Sequence, residues 1–445
     1  MRQHLSYWLH TAERNIASAP VLLSLIVLVA LGLRVLYVLT YGETLYLHSD
    51  DQNYINTAYH WLNTGMFTYR NPMQPTVFIT PGFPALLAAV FAAGGDVQTV
   101  RLVQAVLTTL SVLLTYLIGR DLFGQKTGLL AALVMAVYPP NLVATGLILT
   151  EPLFQVFFLA FIWRSLHLKS MGDWLLLGLI WALGTYVRPT LALLPVAILP
   201  ILFWRELLSW QFPWRRLAAM VALFCLVLSP WWIRNYLAYE TFIPLAVSSG
   251  NPLLLGTMPP GTTIEPDPNW VYPEVDANGF VDQYATDKFE AAYAKARILQ
   301  FIQDDPASFA YHYLVTKPSM LWSTPYYWKP IPLPYLNWND QLFIHYGLLL
   351  LSLAGLLLQL VIAKGRRTAI AVVAVIPLYF TLIHAVYYSM DRYAFPMMPL
   401  LIIWTGALAV TAAYGLTYAA RRLQRLAPGW LTNARVVDRL SDSDS

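Results

Sequence analysis

The sequence predicts an all-α polytopic membrane protein, and three observations carry that expectation. Hydrophobic residues make up 58 % of the 445 positions and charged ones 12 %, roughly half the charged share of a soluble domain. Mean hydropathy is +0.53, and 16 Trp with 27 Tyr suffice for aromatic belts at both membrane surfaces. Uncharged runs long enough to cross a bilayer recur along the chain. These numbers exclude a soluble globular enzyme, and a net charge of +4 is too small to suggest a nucleic-acid partner. The single cysteine, Cys225, excludes an intramolecular disulfide and a thiolate metal cluster.

Taken in order, apolar runs predict helices near 17–40, 97–119, 127–146, 152–168, 174–188, 189–204, 217–233, 341–363, 368–389 and 395–419, about ten in all. The fifth and sixth meet at Arg188-Pro189, where a break is expected. The first run is long enough to span and no cleavage site stands out after it, so no cleavable signal is expected. With the N-terminus inside, the inner segments 1–16, 120–126, 164–173, 205–216, 364–367 and 420–445 hold 17 Lys/Arg against 7 Asp/Glu. The remaining 11 basic and 17 acidic residues fall in the membrane or on the far side, which supports both termini cytoplasmic in a cell (plasma or inner) membrane.

Two outer segments are too long to be connectors. The first, 42–96, carries Pro72, Pro75, Pro81 and Pro84, and its apolar piece from Ala85 to Ala93 is too short to cross, so it reads as juxtamembrane helices. The second, 235–340, holds 11 acidic and 5 basic residues and reads as a small extracytoplasmic domain with a helix from about Asp282 to Gln303. The expected organisation is thus a transmembrane module over 1–234, the outer domain over 235–340, C-terminal helices over 341–420, and a basic, disordered tail over 421–445.

The first outer segment opens with His48-Ser49-Asp50-Asp51-Gln52. Paired carboxylates just outside a membrane helix are an expensive placement unless solvated or used. Ser49-x-x-Gln52 also reads as a capping box with acids in the first turn, and a base for an acceptor hydroxyl is compatible with that. Thr150-Glu151-Pro152 repeats the ambiguity, with Thr150 as N-cap and Pro152 early in a helix, but an acid between two long apolar stretches favours function. Arg188, Arg234 and Arg392 map to outer helix ends and Arg34 lies within the first helix. Such arginines ordinarily snorkel or bind carbonyls. Several on the face opposite the cytoplasm would also suit an anionic, phosphate-bearing ligand. His48, His60, His312, His345 and His384 lack HExxH-like spacing, so support for a metal is weak, and no Walker loop or GxGxxG provides for a nucleotide.

These residues, in this order, resemble the bacterial glycosyltransferase family 39 type of membrane transferase, in the GT-C superfamily with protein O-mannosyltransferases and the lipid A aminoarabinose transferase. The resemblance runs across residues 34–400 through Asp50-Asp51-x-x-Tyr54-x-x-x-Ala58, Pro81-Gly82-Phe83-Pro84, Gly119-Arg-Asp-Leu-Phe-Gly124 and Ala136-x-Tyr138-Pro139-Pro140. It continues through Leu149-Thr-Glu151-Pro-Leu-Phe154, Arg188-Pro189, Pro230-Trp231-Trp-Ile-Arg234-Asn235-Tyr236, Ser249-Gly250-Asn251-x-Leu-x-Leu-Gly256 and Arg392-Tyr393-x-x-Pro396. It implies a GT-C-type fold, a polyprenyl-phosphate sugar donor, an outer active site and inverting displacement. By position, Asp50 resembles the family's proposed general base, Asp51 its acidic neighbour and Glu151 the second outer acid. The donor-binding set implied is Arg34, Tyr54, Arg188, Arg234 and Arg392. Some relatives carry a basic residue in the proline motif, where Ile79-Thr80-Pro81 offers none, so arginines elsewhere must hold the phosphate.

The expected activity is sugar transfer from that donor to a hydroxyl on a glycan, lipid or protein acceptor, in contact with the lipid bilayer. No cofactor is expected, and a divalent metal is left open. A transporter or lipid flippase is the rival, but it would call for polar residues near the midplane and for repeat halves, whereas these acids gather at one face. A non-catalytic scaffold would tolerate neutralised carboxylates.

Overall fold

The computed structural model describes residues 18–247, 249–257, 270–274, 282–325 and 337–426. The expected inner segment 1–16, parts of the outer domain and the expected disordered tail beyond 426 lie outside the described residues. Every predicted apolar run is helical. Among the described residues, six helices are long and apolar enough to cross a membrane, or seven if one bent pair counts as a span.

Helix α1 (Ala19–Tyr41) buries Ala30, Arg34, Tyr37 and Val38, a stripe at helical spacing, and turns Leu22, Leu25, Leu28, Leu36 and Leu39 outward, as a lipid-facing span should. The first outer segment folds into α2 (Asp50–Thr64), closed by Gly65 at φ 75°, and α3 (Gly82–Ala92). Helix α4 (Val97–Phe123) starts from a capping box between Asp96 and Thr99 and packs against α5 (Gln125–Val137), with α6 (Pro139–Gly146) following at a 51° bend.

That bend has a specific cause. In a continuous helix the N–H groups of residues 139 and 140 would close on carbonyls 135 and 136, but Pro139 and Pro140 have none. Arg34 supplies the missing donors: its Nη2 donates to Met135 O at 3.2 Å and its Nη1 to Ala136 O at 3.0 Å. The freed carbonyls thus find a partner inside the apolar layer, as they must.

Helices α7 (Glu151–Ser165) and α8 (Met171–Val187) are short. The 15 residues of α7 reach about 22 Å at 1.5 Å each, less than the roughly 30 Å hydrocarbon layer. Eleven of its 15 residues are buried and none is exposed, so it is a core element and not a lipid-facing one. The expected break is present: Arg188 is extended (φ −145°, ψ 124°), followed by a 3₁₀ turn at Pro189–Leu191 and by α9 (Leu194–Leu202) and α10 (Trp204–Leu208). Helix α11 (Trp214–Tyr239) runs past the predicted end because Pro230 is accommodated. Leu226 O, which Pro230 cannot serve, accepts from Ser229 Oγ at 2.8 Å.

In the outer segment, α12 (Gly250–Leu255) precedes α13 (Gln283–Asp304), which begins where the sequence placed it and which Asp282 caps by accepting from Tyr284 N–H at 2.8 Å. Then come α14 (Pro306–Tyr311), a π turn and α15 (Lys317–Trp322). Lys317 pins this unit to the membrane part: its Nζ donates to Gly256 O at 3.0 Å and Tyr387 O at 2.6 Å, and burial pushes its ammonium down to about 7. Gly256 lies so close to Tyr387 O that no side chain would fit. Helices α16 (Trp338–Ile362) and α17 (Arg367–Val386), a 3₁₀ segment (Asp391–Met397) and α18 (Met398–Leu426) complete the chain. Among the described residues there is no strand beyond an isolated bridge between Tyr69 and Asn71.

Candidate active site

The two adjacent aspartates have separate surroundings. Asp51 is 1 % exposed, and its carboxylate accepts from Leu47 N–H at 2.8 Å and Ser49 N–H at 2.9 Å. It ties down the turn that enters α2, where His48 sits at φ 54°. The capping box read from Ser49 and Gln52 does not form: Ser49 makes no side-chain cap, and Gln52 Nε2 donates to Asn56 Oδ1. Asp51 supplies the acceptors instead, from the second helical position. Asp50 keeps a side chain 22 % exposed, with Oδ2 3.1 Å from Arg392 Nη2 and Oδ1 accepting from Tyr69 Oη at 3.2 Å.

Glu151 opens α7 and its side chain is 1 % exposed. Thr150 does not cap the helix; its hydroxyl donates to Glu151 Oε2 at 3.2 Å. Glu151 Oε1 stands 3.0 Å from Arg188 Nη1 and 3.1 Å from Arg392 Nε. At this oxygen the N–H vectors do not line up for hydrogen bonds, so the attraction is Coulombic, strengthened by burial and by the helix N-terminus. Asp50, Arg392, Glu151 and Arg188 form one row of alternating charge. The Tyr393 ring lies between the cations, 5.1 Å from the Arg188 guanidinium and 5.6 Å from that of Arg392, and stacks on His384 at 4.5 Å.

Four distant elements meet here for local reasons. Arg188 leaves the helical path because the residue before a proline is pushed to extended backbone. Helix α3 reaches the same end of α8 through Gly82, where a Cβ would stand 2.6 Å from the Tyr186 carbonyl; this is the demand behind Pro81-Gly82-Phe83-Pro84. Thr80 Oγ1 donates to Val187 O at 3.3 Å. Tyr54, one turn along α2 from Asp50, packs edge-on against Phe83 at 5.2 Å. Burial first, then the neighbouring Tyr69 and Asp50, hold its hydroxyl well above the usual phenol range. Tyr69 is raised likewise, by burial and then by the Asp50 charge.

Of the residues singled out in the sequence, Asp50, Tyr54, Glu151, Arg188 and Arg392 come together, with Asp51 beside them but engaged by backbone. Arg34 and Arg234 are placed elsewhere. Arg34 is fully buried, donating to the two α5 carbonyls, to Ala30 O, to Thr108 Oγ1 and to Asn141 Oδ1; it packs helices and faces no opening for a phosphate. Arg234 donates to Thr76 O at 2.6 Å and Phe67 O at 3.1 Å and lies over the Phe67 and Trp231 rings, so it clamps the first outer segment to α11. Sequence reasoning missed Tyr69 and His384. Tyr69 carried no motif, whereas Tyr393 stood inside the arginine motif without a role. Among the described residues no three of His, Cys, Asp and Glu converge as a metal-ligand set.

Residues 76–233 match the family described as dolichyl-phosphate-mannose-protein mannosyltransferase. No curated protein matches the chain in sequence. Among solved structures it is similar to the archaeal oligosaccharyltransferase AglB from Archaeoglobus fulgidus in complex with an inhibitory peptide and a dolichol-phosphate. That likeness has 13 % identity and a TM-score of 0.54 over 92 % of this chain and 52 % of that one. The apo form of the A. fulgidus oligosaccharyltransferase matches at 13 % identity and TM-score 0.53, over 93 % and 52 %. ArnT from Cupriavidus metallidurans bound to undecaprenyl phosphate matches at 16 % identity and TM-score 0.41, over 93 % and 82 %, a likeness too loose to build on. The chain spans about half the length of the oligosaccharyltransferase.

The family match and the shared fold bear out the GT-C resemblance of the motifs and the reading of an all-helical, multi-pass membrane protein.

Proposed function

We propose that this chain is a glycosyltransferase that moves a sugar from a polyprenyl phosphate to an acceptor hydroxyl on the extracytoplasmic side, with inversion at the anomeric carbon. The observation that carries the reading is the charge row itself. It offers one partly exposed carboxylate, Asp50, and two guanidiniums, Arg188 and Arg392, gathered about a buried one. In the reaction the acceptor oxygen attacks the anomeric carbon and its proton passes to Asp50. The bond from that carbon to the phosphate oxygen breaks, and the phosphate leaves with the electron pair, its charge met by the arginines. Glu151 keeps two like-charged guanidiniums side by side and aimed at one place. The match to a mannosyltransferase family and the fold shared with an oligosaccharyltransferase holding a dolichol-phosphate support a lipid-phosphate donor.

Binding of undecaprenyl phosphate to the purified chain in nanodiscs tests the donor half of this reading. Arg188→Gln and Arg392→Gln should each weaken binding by about 1.5–3 kcal/mol, the worth of a charged hydrogen bond, and Lys should rescue only partly because it lacks the planar fork. Unchanged affinity in both variants would remove the phosphate site from this cluster. The side of the membrane has its own test, in a Cys225→Ala background. A cysteine replacing exposed Gln300 on α13 should react with an impermeant thiol reagent on intact cells, and one replacing exposed Gly365 only after permeabilisation. The reverse pattern would put the site on the cytoplasmic face.

A further inference from the structure

Arg34 serves more than the proline bend. Its Nη2 also donates to Asn141 Oδ1 at 2.7 Å, Asn141 Nδ2 donates to Gln155 Oε1 at 2.9 Å, and Gln155 Nε2 reaches Phe395 O at 3.3 Å. All three side chains are fully buried. The direction of this chain follows from its first member, because a guanidinium can only donate. Asn141 must turn its oxygen to Arg34 and its nitrogen to Gln155, so Gln155 must turn its oxygen back and its nitrogen forward. The relay therefore has to end on an acceptor, and Phe395 O, which also accepts from Met398 N–H, is that acceptor.

Both ends of the last link matter. Gln155 lies four residues after Glu151 on α7, hence on the same helix face. Phe395 lies three residues after Arg392 in the same 3₁₀ segment. The hydrogen bond joins the helix that presents Glu151 to the segment that presents Arg392, one turn below the charge row.

We propose that Asn141 and Gln155 are positioning residues for Arg392: anchored by Arg34, they fix the 391–397 segment so that one guanidinium touches both Asp50 and Glu151. Neither amide reaches the reacting atoms. Buried amides in an apolar core are costly unless satisfied, and here satisfying them also fixes a 3₁₀ segment, whose i→i+3 bonds are poorer in geometry than those of an α-helix.

The test uses Gln155→Met, which keeps length and volume but cannot donate, with Gln155→Asn, one methylene too short to span, as a second variant should the first not fold. In a cryo-EM structure of either, the Arg392 guanidinium should leave its 3.1 Å contact with Asp50. Undecaprenyl phosphate should bind about tenfold more weakly, the scale of one buried hydrogen bond. In an Arg392→Gln background the same change should add less than twofold, since the residue being positioned is already gone. Arg392 unmoved, or losses that multiply in the double variant, would overturn the proposal. The binding arm rests on the phosphate role of Arg392. If Arg392→Gln itself binds normally, that role fails, and the displacement of Arg392 alone decides the relay.

Discussion

An Asp50→Asn variant is expected to fold, to bind undecaprenyl phosphate within about threefold of the parent, and to transfer sugar roughly 10²-fold more slowly or worse, the usual worth of a positioned base. The shape argument favours folding. An amide can turn its oxygen to Arg392 and its nitrogen to the Tyr69 oxygen, so both contacts of Asp50 keep an acceptable partner. What disappears is the capacity to take a proton. Asp51→Asn should behave in the opposite way. Asp51 uses both oxygens on backbone N–H groups, and asparagine accepts at only one, so a part-buried N–H loses its partner at a cost of about 0.5–1.5 kcal/mol, the net worth of one intramolecular hydrogen bond. Its melting temperature should fall while transfer per folded molecule stays within a few-fold. With polyprenyl-phosphate sugars extracted from the host membrane as donor pool, parental turnover by Asp50→Asn would remove the base. A hundredfold loss at Asp51 with Asp50 tolerant would exchange their roles.

How far the sequence spoke differs by scale. Helices were legible because the bilayer imposes length and hydropathy on each one separately, and local chemistry marked the break at Arg188-Pro189 and the start of α13 at Asp282. The site was legible as a set of residue types on one face, not as a geometry: Asp50 and Arg392 stand 342 positions apart, and no local rule pairs them. The choice of Asp50 over Asp51 came from the family resemblance alone and from no local rule, because locally it turns on which carboxylate the backbone of residues 47–49 claims. Arg34 and Arg234 show why isolated arginines in apolar runs mislead. Each donates to carbonyls of another segment, at residues 135 and 136 for the first, where the prolines leave them open, and at 67 and 76 for the second. Which carbonyls lie open is a property of the packed fold.

Glu151→Gln should be the most destabilising single change at the site, lowering stability by about 3–5 kcal/mol, the cost of stripping one partner from a buried ion pair. The carboxylate is 1 % exposed, while Arg188 and Arg392 keep side chains 15 % and 11 % exposed, so water can screen little of the repulsion between the two cations. With Glu151 neutral, two guanidiniums about 3 Å from a common point face each other across an uncharged amide, while Asp50 keeps its contact with Arg392. Removing the second cation should therefore relieve the first loss. Glu151→Gln with Arg188→Gln leaves Asp50 paired with Arg392 and no surplus charge, and is expected to unfold later than Glu151→Gln alone, by at least about 1 kcal/mol for directly coupled residues. Unfolding of the four proteins in one detergent measures the coupling. Simple additivity would mean that Glu151 and Arg188 do not share a charged contact, and a Glu151→Gln protein as stable as the parent would mean that the carboxyl holds no charge between the arginines, leaving nothing to keep them together at the proposed phosphate site.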